Sequence, residues 1–279
     1  MTRPARGSDA PGAPARLQWW RELVYIGAFY LLYSAVRNLF GSEGGSVAHA
    51  RDVAFGHAEV VIAIERAVGL FFEERLQRWT LSLPGHGGIV AWNVWYGTAH
   101  FVVTAGALLL LFLRAPGRYR LWRTTLAATT AIALVGYASF SLMPPRLLGD
   151  CGAFGACADY GFVDTLAEHG ALWSFDSGAL KAVSNQYAAM PSMHMGWSLW
   201  CALVLFPMVR RRWARALVVV YPVVTLVCIV VTGNHYWLDA AAGAACLAVG
   251  FWAATRVTAW WEGRPAPASA RRRADDTVR

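Results

Sequence analysis

Charge is what this sequence has least of. Only 15% of its 279 residues are charged, where soluble domains usually carry about 25%, so an ordinary water-soluble globule is excluded at the outset. Lysine is nearly absent, with Lys181 alone against twenty-four arginines. Those arginines stand in short clusters between apolar runs, which argues against a nucleic-acid-binding face despite the net charge of +8. No HExxH or similar ligand pattern occurs, so the sequence offers no recognisable metal centre. Residues 1–18 lack an apolar stretch followed by a small-residue cleavage site, so a cleaved signal peptide is not expected. Cysteines number five: Cys201, Cys228 and Cys246 lie in apolar runs and read as small core residues, while Cys151 and Cys157 share one loop.

What is abundant is apolar. Hydrophobic residues make up 57% of the chain, with fourteen tryptophans and ten tyrosines, rings that collect at the headgroup level of bilayers. A transmembrane helix needs about 20 apolar residues, and six runs approach that length: 20–38, 88–113, 121–143, 191–209, 215–232 and 235–257. The segment 53–79 has helical periodicity but carries Glu59, Glu65, Arg66, Glu73, Glu74 and Arg75. It reads as an amphipathic helix at the membrane surface, its charged face meeting water. The expected architecture is an all-α, six-helix membrane bundle over 19–262, with flexible tails at 1–18 and 263–279, the latter holding Arg271, Arg272 and Arg273.

Charge asymmetry orients this bundle. The loop 114–123 holds Arg114, Arg118, Arg120 and Arg123, and the loop 210–215 holds Arg210, Arg211, Arg212 and Arg215, neither with an acid. Both tails are basic as well, whereas the connections 39–87 and 144–190 are mildly acidic. Excess arginine marks the cytoplasmic side, so both termini are expected there, in the cytoplasmic membrane, with the loop 144–190 outside. In that oxidising compartment Cys151 and Cys157 can close a small disulfide loop; the alternative is two unpaired thiols.

All seven histidines then fall on the outer side: His49, His57, His86, His100, His169, His194 and His235. His194 ends the stretch Pro191-Ser192-Met193-His194, where Pro191 suits the first turn of a helix. His235 follows Thr232-Gly233-Asn234, with Asn234 a reasonable N-cap, and Asp239 lies four residues on, on the same helix face. A carboxylate inside a membrane helix is costly and needs a partner. An Asp that holds one imidazole nitrogen makes the other a better nucleophile; the competing reading is a His–Asp pair that only satisfies itself. Arg146, in Pro144-Pro145-Arg146, can grip a phosphate with its planar fork or merely snorkel at the interface. The second, fourth and sixth spans all start on the outer side, and their N-termini favour anions there.

The succession PPR, PSMH and GNHYWLD on outer helix ends resembles the type-2 phosphatidic acid phosphatase superfamily over roughly residues 55–255. The likeness is greatest to the branch containing inositol phosphorylceramide synthases. It implies a nucleophilic His235 that forms a phosphohistidine, Asp239 as its orienter, and His194 as the general acid. Two cations of the broader pattern are replaced, by Ser139 and Ile229; the synthase-like branch also lacks the second. Arg146 and Lys181 are then the candidate phosphate-holding cations, with Ser192 and Asn234 beside them. Asn93, Tyr96 and His100 resemble that branch's N-x-x-Y-x-x-x-H element and either line a headgroup pocket or bond neighbouring helices. Glu65 and Glu73 resemble its amphipathic element and are read as structural.

The function so implied is an integral membrane phosphatase or phosphotransferase acting on a lipid phosphate or phosphodiester at the outer face, with no cofactor or metal. Head-group transfer, as by an inositolphosphotransferase, is not separable from hydrolysis by sequence. Two rivals remain: a non-catalytic lipid-binding or transport protein, and a metal site built from His100, His194, His235 and Asp239. Neither the substrate nor the oligomeric state is written in the sequence.

Overall fold

The computed structural model describes residues 18–25, 27–28, 31, 47–170 and 186–262. Both expected tails, most of the run 20–38, and Lys181 lie outside the described residues. Within them the chain is helical, and no strand forms; the one isolated bridge pairs Leu142 with Ala188. We number the helices α1 (Val47–Ala67), α2 (Glu73–Ser82), α3 (Gly87–Arg114), α4 (Pro116–Ser139), α5 (Thr165–His169), α6 (Met193–Leu205), α7 (Arg212–Val231) and α8 (Trp237–Glu262).

Among the described residues, three helices are long and apolar enough to cross a membrane: Gly87–Arg114, Arg212–Val231 and Trp237–Trp261. Met193–Met208 is apolar but shorter. α4 is as long as these, yet it opens on Arg118, Arg120 and Arg123 and buries Thr125, Thr129 and Thr130. Each of those threonines donates to the carbonyl four residues back, so its hydroxyl is satisfied without leaving the helix. The bounds also shift from the sequence expectation. α4 stops at Ser139 rather than 143, because Phe140 leaves the helical region (φ −143°, ψ 77°) ahead of the Pro144-Pro145 pair. Proline disfavours helix in the residue before it. Similarly, α6 starts at Met193 with Ser192 as its N-cap, which puts Pro191 just outside the first turn.

The single amphipathic helix expected over 53–79 is two. α1 ends at Ala67, where Gly69 takes a positive φ of 74°. The Leu70 amide donates to the Glu65 carbonyl and the Gly69 amide to the Arg66 carbonyl, the paired bonds of a Schellman stop. The two helices also do more than lie on the surface. Ala54, Ala58, Val61 and Ile62 of α1 pack with Leu142, Met143, Leu147, Leu148, Phe162, Tyr187, Ala189 and Tyr236. α1 is therefore the back wall of the loops that carry the histidine motifs.

A second core, Ala107, Leu111, Tyr119, Trp200, Cys201, Val204 and Leu247, locks α3, α4, α6 and α8 together toward the arginine-rich ends. Glycines set the closest approach. A Cβ on Gly243 of α8 would stand 2.1 Å from the Ser192 carbonyl oxygen, and one on Gly250 would stand 2.4 Å from Thr129 Oγ1. Cys151 and Cys157 are disulfide-bonded, six residues apart.

Candidate active site

The site gathers where α6 and α8 begin and where the first turns of α3 run alongside. The turn before α8 is specified locally. α7 ends at Val231 with Gly233 at φ 67°; the Asn234 amide donates to the Ile229 carbonyl and the Gly233 amide to Val230, again a Schellman stop. Gly233 is needed for space as well as for φ, because a Cβ there would lie 2.7 Å from Gln77 Nε2. This turn delivers His235 and Asp239 to a buried position, 4% and 0% exposed.

His235 Nδ1 lies 2.9 Å from the Ala189 carbonyl oxygen and 3.3 Å from Asp239 Oδ2. Both neighbours only accept when Asp239 is ionised, so Nδ1 carries the proton and the lone pair sits on Nε2. Nε2 has no hydrogen-bond partner among the described residues. Asp239 Oδ2 also accepts from the Tyr236 amide at 2.9 Å, so the carboxylate orients the imidazole and caps its own helix. That corrects the assignment of Asn234 as N-cap. The Asn234 Oδ1 is instead taken by Arg146 Nε at 3.1 Å, while its Nδ2 donates to Thr232 Oγ1.

His194 occupies the first turn of α6, its ring centroid 5.5 Å from that of His235. Tyr96 stacks on it at 4.2 Å and His100 meets it edge-on at 4.2 Å. The Ser192 side chain accepts from the Met195 amide, and the Ser192 amide donates to the Asp239 carbonyl at 2.9 Å. That last bond ties the His194 helix directly to the His235 helix.

Arg146 is the junction of the surrounding loops. Its backbone amide donates to the Gly233 carbonyl, its Nη1 to Asp164 Oδ2 at 2.6 Å and its Nη2 to Gln186 Oε1 at 2.8 Å. A guanidinium has five N–H donors, so these partners and Asn234 leave it capacity for an anion. Asp164 Oδ1 meanwhile caps α5 through the Leu166 and Ala167 amides.

Of the residues proposed from sequence, His194, His235, Asp239, Ser192, Asn234, Arg146, Tyr96 and His100 come together. Asn93 does not offer a group to this cluster. Its amide donates to the Thr165 and Gly170 carbonyls and accepts from Thr165 Oγ1, which fastens α5 to α3. The residues that sequence reasoning did not single out are Asp164, Gln186, Gln77 and the Ala189 carbonyl, all positioned by contacts between distant segments. Gln77 binds both the amide and the carbonyl of Val163. Near the rim, the Tyr187 hydroxyl donates to the Phe154 carbonyl, and burial pushes that phenol up to about 12.

Glu65 and Glu73, expected to meet water, are both fully buried. Glu65 Oε1 accepts from the Leu238 amide at 2.8 Å, in the first turn of α8. Among the described residues, no group of three or more His, Cys, Asp or Glu side chains is arranged to hold a metal ion.

Comparison with known proteins gives one match. A family model described as the PAP2 superfamily covers residues 59–253, well over half of the chain and including every residue of the cluster. No curated protein and no solved structure matches.

Proposed function

The chain belongs to the PAP2 superfamily, and from that premise we propose that it is a multi-pass membrane phosphatase or phosphotransferase that works through a phosphohistidine on His235. The observation that carries this reading is the tautomer of His235. With Nδ1–H held by the Ala189 carbonyl and Asp239, its unpartnered Nε2 lone pair is the nucleophile of the cluster. The lone pair attacks phosphorus, an N–P bond forms, and the bond to the leaving oxygen breaks as protonated His194 gives that oxygen its proton. Neutral His194 then takes a proton from water or an alcohol, whose oxygen attacks the phosphohistidine and restores His235. Hydrolysis and head-group transfer differ only in that acceptor. Asp239 offsets the positive charge that develops on the attacked ring, and Arg146 receives phosphate charge on the N–H groups it has left.

The substrate class follows from depth: a site at the ends of apolar helices meets phosphate esters at headgroup level. We read six spans, with the arginine-rich loops 114–123 and 210–215 in the cytoplasm and the His–His–Asp cluster facing out. The exposure of Val53, Val60 and Ile64 along α1, and of Val68 just past its end, suits a helix with one face in the membrane interface. Likeness to the inositol phosphorylceramide synthase branch favours transfer between lipids.

The testing experiment presents detergent-purified protein with lipid phosphate monoesters, then with phosphodiester donors with and without an added polyol or ceramide-like alcohol. Phosphate release or product transfer, with an acid-labile phosphoenzyme on His235, is expected. Neither product from any donor would overturn the enzyme reading in favour of a lipid-binding protein. Orientation is tested separately. In a variant whose native cysteines are serine, Arg212→Cys is expected to resist an impermeant thiol reagent in intact cells, and labelling there would reverse the assigned topology.

A further inference from the structure

Two carboxylates that the mechanism above does not use are buried behind the catalytic turn. Glu65, near the end of α1, and Glu73, at the start of α2, are each 0% exposed. Glu65 Oε1 accepts from the Leu238 amide, across 173 residues of sequence. The first amides of a helix have no partner within it. Here the Tyr236 amide goes to Asp239 and the Leu238 amide to Glu65, so the helix bearing the His235–Asp239 pair is capped partly by its own side chain and partly from another helix. One turn beyond Glu73, Gln77 lies close against Gly233 of the same turn, where a Cβ would meet its Nε2 at 2.7 Å.

We propose that Glu65, hydrogen-bonded to Glu73 through one shared proton, is a positioning residue that sets the first turn of α8 and thereby the alignment of His235. The proposal rests on the phosphohistidine reading for its kinetic consequence and on geometry alone for its structural one. The proton assignment rests on burial: Glu65 Oε2 and both Glu73 carboxylate oxygens are buried with no other hydrogen-bond partner among the described residues, so one proton between them would satisfy both groups. Glu65 faces Glu73 from α2 and Asp239 from α8, with the phenols of Tyr236 and Tyr160 close by, and Arg66 turns its guanidinium onto the rings of Phe71 and Tyr160. Two ionised carboxylates without a facing cation are not tolerated at zero exposure. Burial first, then the bond to Glu73, pushes the Glu65 carboxyl up to about 9. Glu65 therefore keeps its proton at neutral pH, donates it to Glu73, and presents its carbonyl oxygen to the Leu238 amide. Glutamine reproduces this arrangement atom for atom: Oε1 accepts from Leu238 and Nε2–H donates to Glu73.

The test compares Glu65→Ala, Glu65→Gln and wild type by kcat, KM and the pH dependence of thermal unfolding. Glu65→Ala is expected to lower kcat by about 10²-fold, the scale of a small misplacement at a reacting centre, with KM changed by less than about twofold. Glu65→Gln is expected to recover kcat to within about threefold of wild type. The unfolding arm needs no turnover. A carboxyl whose folded pKa is raised from 4.5 to about 9 binds more protons folded than unfolded between those values. Its contribution is complete below 4.5 and is lost as pH rises toward 9. The wild-type melting temperature should therefore fall across that window more steeply than that of Glu65→Gln.

Equal slopes in the two proteins overturn the shared proton. Wild-type kcat in Glu65→Ala, or a Glu65→Gln enzyme as slow as Glu65→Ala, overturns the positioning role. If Glu65→Ala does not fold, Glu65→Gln and Glu73→Gln replace it: both keep an acceptor for Leu238, and a kcat below one tenth of wild type in both, at about pH 7, overturns the proposal. A wild type inactive toward every donor overturns the function instead, and the melting slopes still judge the pair.

Discussion

Replacing His235 by alanine is expected to bring turnover to background on every substrate, whereas replacing His194 should cost activity according to the leaving group. In the proposed mechanism His235 supplies the atom that bonds to phosphorus, and the geometry around it leaves no substitute. Asp239 is fully buried with Oδ2 engaged at the Tyr236 amide, and the two other imidazoles of the cluster, His194 and His100, pack against each other, His194 also stacking on Tyr96. In the same mechanism His194 acts on a proton, and its worth depends on how badly the departing oxygen needs one. For an alkyl ester such as a lipid phosphate, loss of general acid catalysis should lower kcat by about 10²–10⁴-fold. For an aryl phosphate with an acidic phenol, the same variant should retain most of its phosphoenzyme formation. Rates of phosphoenzyme formation for the two ester types, in wild type and both variants, decide the matter. An equal loss on alkyl and aryl esters would remove His194 from the acid role, and residual turnover in His235→Ala would remove the nucleophile.

The second large effect is expected from a residue with no chemistry of its own. Gly243 lies one turn beyond Asp239, where α8 presses on the N-cap of α6. A Cβ there would sit 2.1 Å from the Ser192 carbonyl oxygen, about 1 Å short of a van der Waals contact, and 3.1 Å from its carbonyl carbon. Both clashing atoms are backbone, so no side-chain rotation relieves them. Gly243→Ala must push the helices apart, stretching the bond from the Ser192 amide to the Asp239 carbonyl and widening the gap between His194 and His235. Turnover should fall by about 10²-fold or more, with a lowered melting temperature. Gly106→Ala, on α3 with nothing within 4 Å of its Cβ, serves as the control and should be unaffected. Wild-type kcat in Gly243→Ala would show that this contact does not hold the two histidines.

Some of this site was legible because its parts are local. His235 and Asp239 are one helical turn apart, and the proline and serine before His194 announce a helix start, so period and capping rules place all three at helix ends. The long-range parts were not legible. Nothing in the sequence says that Asp164 and Gln186 converge on Arg146. Asn234 has the residue type of an N-cap, but Arg146 claims its oxygen and Asp239 does the capping instead. Glu65 and Glu73 carried the charge of a wet surface. Their burial depends on Gly69 stopping α1 and turning α2 back against α7 and α3, a tertiary outcome that overrides the local pattern. The run 121–143 is legible as a helix, but the way α4 satisfies its threonines, by bonds to its own backbone, is something no hydropathy average registers.

The order of the chain has a consequence for its biogenesis. His194 stands on α6, but His235 and Asp239 arrive only with α8, and the Ser192–Asp239 and Glu65–Leu238 bonds close only once that helix has docked. On the proposed mechanism, a chain halted before this step would hold His194 and Arg146 with no group able to attack phosphorus. Such a nascent protein would be inert toward the lipids around it. Activity on this scaffold would then report that insertion has finished.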